Sequence, residues 1–139
     1  MDCLFCAIAS REQPAHLVLD TPEVVAFLDH RPLFVGHTLV VPRVHVAELI
    51  DASAAQRDVL FARVQELARA IPVAMDAVGT FVAVNNVVSQ SVPHLHVHVV
   101  PRRFKDGLRG FFWPRTKYES EEAAAAVADR IGVALSATM

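Results

Sequence analysis

The chain has 139 residues, of which 53% are hydrophobic and 20% are charged, and its formal net charge is −2. This composition predicts one globular domain with a genuine core and excludes a disordered chain. Without a lysine- or arginine-rich run, non-specific binding to nucleic acid by counterion release is disfavoured. The apolar runs are too short for a membrane span, and the first residues lack the pattern of a signal peptide. We therefore expect a cytoplasmic protein with no nucleic-acid or membrane partner.

The N-terminal part of the chain is predicted to form a short helix and three strands. The turn-prone Asp20-Thr21-Pro22 separates two strand candidates at the spacing of a hairpin. Gly36 precedes the third strand candidate and Pro42 ends it. The predicted helix covers residues 3–10, and the predicted strands cover 16–19, 24–28 and 37–41.

A long helix is predicted over residues 53–71. Ser53 and Gln56, three residues apart, form the pattern of a capping box. Apolar residues then recur at helical spacing, as a stripe of Leu60, Val64, Leu67 and Ile71. Pro72 predicts a kink or a break, because proline removes a helical hydrogen bond, and residues 73–77 are a candidate continuation of the helix beyond it. We expect Gly79 to close the segment.

The remaining elements are two strands and a C-terminal helix. Strands are predicted over 80–84 and 94–100, and Ser120 begins a helix with an apolar stripe of Val127, Ile131 and Leu135. The aromatic run Phe111-Phe112-Trp113 between them favours packing over ligand stacking. The order of elements predicts an α+β fold, with a five-stranded antiparallel sheet, one long helix, a short N-terminal helix and a C-terminal helix.

Three histidines alternate with apolar residues near the end of the sheet. In a strand, His94, His96 and His98 share one face, while the apolar residues between them face the core. Three interpretations are open: histidines without function, a metal site, or catalysis at phosphorus by a neutral imidazole. The spacing alone does not separate the last two.

Cys3 and Cys6 are the two cysteines of the chain. In a reducing compartment, a pair at this spacing favours metal or redox chemistry over a structural disulfide. Two unrelated buried cysteines are the remaining alternative. No strand precedes them, which disfavours a thioredoxin-like redox pair.

The histidine stretch together with its surroundings is similar to a known signature. Gln90-Ser91 followed by His94-Leu95-His96-Val97-His98 resembles the motif of the histidine-triad (HIT) family. Further family blocks occur in the same order, at residues 3–6, 25–29, 36–42 and His45. The resemblance covers about residues 3–103. It implies a single HIT-like domain over 1–139, with a core at 3–103 and a C-terminal extension at 104–139.

The resemblance also implies an activity. HIT proteins act at the α-phosphate of a nucleotide, and the expected substrate here is a purine nucleotide, either a diadenosine polyphosphate or an adenosine phosphoramidate. His96 matches the nucleophile that forms a covalent nucleotidyl intermediate. His98, Ser91 and Asn85 match further catalytic positions, and Asp29 matches the carboxylate that binds the ribose. The positions around the base correspond to Leu4, Phe5, Ile8, Phe27 and Leu28.

A zinc-containing bacterial branch of the family implies a second site. Its metal ligands match Cys3, Cys6, His45 and His94, a closed set that would hold a structural zinc, with no catalytic metal required. The family further implies a homodimer. The alternative is a nucleotide-binding or zinc-stabilised scaffold protein without turnover.

Overall fold

The structure is a computed structural model that describes residues 3–109 and 115–138. The aromatic run Phe111-Phe112-Trp113 lies outside the described residues. The chain falls into two compact units, one ending at Asp106 and one beginning at Gly107. The single-domain organisation stays a prediction. The elements are α1 (Leu4–Ala9), β1 (Leu17–Asp20), β2 (Val24–Leu28), β3 (Thr38–Pro42), a 3-10 turn (Leu49–Asp51), α2 (Ala54–Met75), β4 (Gly79–Val84), β5 (Val97–Arg102) and α3 (Glu121–Thr138).

The five strands form one sheet in the order β1-β2-β3-β5-β4. Each pair of neighbours is antiparallel. Helix α2 connects β3 to β4, and β5 then pairs between these two strands. The predicted α+β class with a five-stranded antiparallel sheet is confirmed.

Both faces of the central strands are buried, and alternate residues enter different cores. Val24 and Val40 pack with α2 in one cluster. Val25 and Phe27 pack with α1 in another. Because successive side chains point to opposite faces, a strand covered on both sides has to be apolar at every position. This explains why β2 has no polar residue.

Strand β5 differs from β2 because one of its faces carries histidine. Val97 and Val99 enter the core beneath α2, and His98 lies on the opposite face, beside Leu39 of β3. The predicted start of this strand at residue 94 is wrong, since β5 begins at Val97. Before that point the backbone bonds elsewhere, with the Leu95 N–H donating to the Val46 carbonyl at 2.7 Å.

Helix α2 begins with the predicted capping box. The Ser53 hydroxyl accepts from the Gln56 N–H at 3.1 Å, and the Gln56 side chain accepts from the Ser53 N–H at 2.8 Å. The predicted stripe is buried, at Leu60, Val64, Leu67 and Ile71.

Of the two alternatives predicted at Pro72, a kink or a break, the break is wrong, because α2 continues to Met75. An interior proline costs about 3 kcal/mol, and burial of Ile71 alone contributes about 1.5–3 kcal/mol, so tertiary packing can hold the last turn. The helix ends at Asp76, which has a left-handed φ of 52°. We expected Gly79 to close the helical segment. In the structure it is instead the first residue of β4.

Helix α3, in the second unit, begins as predicted. The Ser120 hydroxyl accepts from the Ala123 N–H at 3.0 Å, and Glu121 and Glu122 lie in the first turn. Its stripe is not a core face, since Ile131 is 64% and Leu135 60% exposed.

Among the described residues, no helix is both long and apolar enough to cross a membrane. The homodimer stays a prediction.

Gly36 gives a test of the packing between β3 and the end of α2. Its φ is +103°, and a Cβ there would lie 2.8 Å from Met75 Cγ and 3.3 Å from Pro101 Cγ. We expect Gly36→Ala to lower the free energy of unfolding by about 1–3 kcal/mol, through strain and overpacking. Urea denaturation measures this, with Gly79→Ala as the control because a Cβ there meets nothing within 4 Å. An equal loss at both positions would contradict the packing argument.

Candidate active site and metal centre

A cavity of about 840 Å³ opens on the face of the sheet that carries α1. One wall is apolar and comes from α1 and β2. The other wall carries His98 of β5 and His96, which directly precedes that strand. Of the predicted residues, it is lined by Leu4, Phe5, Ile8, Phe27, Leu28, Asp29, Ser91, His96 and His98. The fold thus brings together all predicted substrate-binding residues and three of the four predicted catalytic ones.

Asn85 is the predicted catalytic residue that does not line this cavity. It follows β4 and is exposed. Its neighbour Asn86 has a structural contact, since its side-chain oxygen accepts from the Leu49 N–H at 2.9 Å. A role for Asn85 stays a prediction.

His96 is 3% exposed and has a defined tautomer. Its Nδ1 lies 2.7 Å from the His94 carbonyl oxygen. A carbonyl only accepts, so Nδ1 carries the proton and Nε2 carries the lone pair. The ring is held edge-on by Phe5, at 5.0 Å between centroids. The arrangement therefore holds the imidazole in one orientation, with Nε2 as its nucleophilic nitrogen.

His98 lies next to His96, with 5.0 Å between ring centroids. Its Nδ1 is 2.9 Å from Nε2 of His37. Its Nε2 is buried and has no hydrogen-bond partner. Burial, with smaller contributions from His96 and His37, lowers the pKa of His98 to about 4. His98 is consequently neutral at physiological pH.

Asp29 lies at the end of β2, at the edge of the cavity. One carboxylate oxygen accepts from the Arg31 N–H at 2.9 Å, and the other lies 3.6 Å from Nε2 of His37. Its side chain is 18% exposed. The carboxylate is therefore oriented and still accessible to a ligand with hydroxyl donors.

His37 is the main residue that sequence reasoning missed. It stands at the entrance to β3, is 4% exposed, and contacts both His98 and Asp29. Its sequence signals were its position after Gly36 and its place in the family block at 36–42, but it was assigned no role. Other lining residues that were not predicted as sites are Gln13, Pro14, Ala15, His16, His30, Leu39 and Val92.

The predicted metal ligands form a second cluster. The ligand atoms of Cys3, Cys6, His45 and His94 all lie within 4.8 Å of one another. Nδ1 of His94 is 3.3 Å from the Cys3 sulfur and 3.5 Å from the Cys6 sulfur. Nδ1 of His45 is 3.4 Å from the Cys6 sulfur.

The chemistry of this donor set fits a zinc ion. Nε2–H of His94 donates to the Pro42 carbonyl at 2.8 Å, which leaves the Nδ1 lone pair facing both sulfurs. Burial, and then Cys3 beside it, raise the pKa of the Cys6 thiol. Two thiolates this close need a bound cation to coexist, and two sulfurs with two imidazoles make a complete tetrahedral set. These four residues could therefore hold a structural zinc.

Comparison with known proteins identifies the family to which this chain belongs. The HIT domain family matches residues 10–105. The chain belongs to the HIT family. It is 38% identical over 110 residues to an uncharacterised HIT-like protein of Mycobacterium tuberculosis, covering 78% of this chain and 76% of the relative. It is 31% identical over 127 residues to an adenosine 5'-monophosphoramidase of Schizosaccharomyces pombe, covering 90% and 92%.

Solved HIT structures share the fold. A HIT family protein of Bacillus subtilis superposes with a TM-score of 0.85 at 30% identity, covering 95% of this chain and 96% of that one. A zinc-bound histidine triad protein of Mycobacterium smegmatis superposes with a TM-score of 0.74 at 34% identity, covering 96% and 98%.

The buried state of His98 predicts a pH-dependent contribution to the stability of this HIT protein. The folded-state pKa is about 4, against 6.5 for an ordinary histidine, so between these values the unfolded chain binds more protons. The contribution of neutral His98 is present above pH 6.5 and is lost as the pH falls towards 4. As the pH falls from 6.5 towards 4, we therefore expect the free energy of unfolding of the unaltered protein to decrease more than that of His98→Gln.

Urea denaturation between pH 7.5 and pH 4.5 measures this difference. His30→Gln is the matched control, because it removes an imidazole whose side chain is 84% exposed. A stability difference for His98→Gln that does not change with pH would show that the folded protein does not keep His98 neutral.

Proposed function

We propose that this HIT protein cleaves a purine nucleotide at its α-phosphorus, through a covalent nucleotidyl intermediate on His96. The observation that carries the proposal is the tautomer of His96, whose Nδ1–H is held 2.7 Å from the His94 carbonyl beside a cavity of nucleotide size. A neutral imidazole fixed in this way is a nucleophile that needs no further base.

In the first step, Nε2 of His96 attacks the α-phosphorus. A P–N bond to His96 forms while the bond from phosphorus to the leaving group breaks. The positive charge that develops on the imidazole is stabilised by the Nδ1–H bond to the carbonyl oxygen. A basic leaving group takes up a proton from solvent as it departs, and buried Nε2 of His98 is suited to donate a hydrogen bond to it.

In the second step, water attacks the same phosphorus and the P–N bond breaks. The nucleoside monophosphate is released, His96 regains its lone pair, and the proton of the attacking water goes to solvent. Another nucleophile in place of water would make the reaction a transfer.

The remainder of the cavity supports a nucleoside monophosphate half. Phe5, Ile8 and Phe27 form an apolar wall suited to a flat base. The Asp29 carboxylate is accessible and suited to the two hydroxyls of a ribose. Ser91 lines the cavity on the triad side and could contact the phosphate chain. The name of the S. pombe relative favours an adenosine phosphoramidate over a diadenosine polyphosphate.

Removal of the nucleophile tests the proposal. We expect His96→Ala to lower AMP release from adenosine phosphoramidate by at least about 10³-fold, since the substitution removes the attacking nitrogen. The same comparison with diadenosine tetraphosphate identifies the better leaving group. Mass spectrometry after rapid quenching should detect an acid-labile AMP adduct on the unaltered protein and none on the variant.

The melting temperature and circular dichroism of His96→Ala are the control for folding. Equal rates for the two proteins would refute His96 as the nucleophile. Nucleotide binding without turnover by the unaltered protein would instead support the scaffold alternative.

We further propose that Cys3, Cys6, His45 and His94 hold a structural zinc. The support is the convergence of the four ligand atoms, the orientation of His94, and the similarity to the zinc-bound M. smegmatis protein. When bound, zinc would tie α1, which carries part of the base wall, to the segment that leads into β5.

Metal analysis tests this second proposal. The purified protein should hold about one zinc per chain, and Cys6→Ser should reduce this close to zero and lower the melting temperature, because metal binding adds to folding free energy. His30→Ala, which removes an exposed imidazole outside the cluster, should keep its zinc. Equal zinc content in Cys6→Ser and the unaltered protein would contradict the assigned ligands.

A further inference from the structure

We propose that Gln13 is a specificity-determining residue that binds the polar edge of a purine base, at position 6 of the ring. The assignment rests on the proposed function, in which the α-phosphorus lies at His96. Three features support it: the direction of α1, the way the chain is held after α1, and the distribution of polar side chains along the cavity.

Helix α1 runs away from the triad histidines. Near its start, the Phe5 ring centroid lies 5.0 Å from that of His96 and 6.0 Å from that of His94. The helix has six residues and therefore rises about 9 Å along its axis. Phe5 and Ile8 both line the cavity, so the cavity follows the helix. A nucleotide with its phosphorus at His96 therefore has its base towards the end of α1.

The chain that follows α1 is held at both ends. The Gln13 N–H donates to the Ala7 carbonyl at 3.1 Å, and the His16 carbonyl accepts from the Leu28 N–H at 3.0 Å. Pro14 restricts the backbone of Gln13 to extended conformations. These constraints keep Gln13 beside the last turn of α1. It is exposed there and lines the cavity, so its amide is open to a ligand.

The polar side chains that line the cavity fall into three groups. Those at the phosphate end are Ser91, His96 and His98, and those at the proposed ribose position are Asp29 and His30. The third group is Gln13 and His16, which come from the connection between α1 and β1. This group follows the helix that supplies the apolar base wall and has no part in the reaction steps.

A purine base needs such a group at its edge. Its faces are apolar, but its amino group and ring nitrogens lose water when the base is bound, which costs free energy unless they are hydrogen-bonded. The Gln13 amide offers a carbonyl acceptor beside an N–H donor. That pair matches the 6-amino group of adenine and the ring nitrogen next to it. After a half turn, the amide also matches a 6-oxo group beside N1–H.

His16 is less suited to this contact than Gln13. Its two ring nitrogens point in different directions, so they cannot bind two adjacent atoms of one base edge. The proposed recognition is therefore of a purine with a hydrogen-bonding group at position 6, and it is assigned to Gln13 alone.

Calorimetry with two nucleotides tests the assignment. One is AMP and the other is purine riboside 5′-monophosphate, which lacks the 6-amino group. The unaltered protein should bind AMP about three- to tenfold more tightly, the usual net worth of a hydrogen bond. In Gln13→Leu, which has similar size without polar atoms, the preference should fall below about twofold, because the partner of the amino group is gone.

The second nucleotide also serves as the control for folding, since its affinity should be the same in both proteins. Glu12→Leu alters an exposed neighbour that is not among the cavity-lining residues, and His16→Leu alters the other polar side chain of the group. Both variants should keep the preference for AMP. A preference that persists in Gln13→Leu, or that is absent from the unaltered protein, would overturn the proposal.

Kinetics distinguish base recognition from a role in the reaction. With adenosine phosphoramidate, Gln13→Leu should raise KM about three- to tenfold with kcat within about twofold, because the base is bound equally in the ground and transition states. A lower kcat with unchanged KM would contradict recognition of the base. The preference for AMP without turnover would refute the proposed function and leave the role of Gln13 standing. Turnover without the preference would do the reverse.

Discussion

The antiparallel pairing of β5 with β3 is the constraint on which the site depends. It places Val97 opposite Val40 and His98 opposite Leu39. A shift of one residue would move the valines to the cavity and the histidines beneath α2, where charged or unpaired imidazoles are costly. The apolar core under α2 therefore holds the register, and the register decides which side of the sheet carries the histidines.

His94 connects the two candidate sites through three of its atoms. Nε2–H donates to the Pro42 carbonyl, Nδ1 faces the two cysteine sulfurs, and the carbonyl oxygen accepts from Nδ1–H of His96. The same residue thus orients the metal cluster and the tautomer of the neighbouring histidine. A metal ion in the proposed cluster would therefore be linked, through His94, to the imidazole that we propose as the nucleophile.

Much of the fold could be predicted because the relevant patterns are local. The capping box at Ser53, the stripe from Leu60 to Ile71 and the alternation of histidine with apolar residues all depend on neighbours within a few positions. The errors lie where distant contacts decide. The packing of Ile71 carries α2 through Pro72, and the bond from Leu95 to Val46 delays β5 until Val97. The exposed stripe of α3 shows that helical spacing predicts a helix but not what covers it.

By itself the sequence determined the family, the order of the elements, and the residue types of the triad and the Cys/His set, because these are properties of composition and spacing. Only the tertiary structure decided which nitrogen of His94 and which nitrogen of His98 faces each hydrogen-bond partner. That choice depends on partners far along the chain: the Pro42 carbonyl for His94, and His37 for His98, which is 61 positions away. Spacing cannot encode a hydrogen bond between strands, and for that reason the contact of His37 with His98 is visible only once β3 lies beside β5.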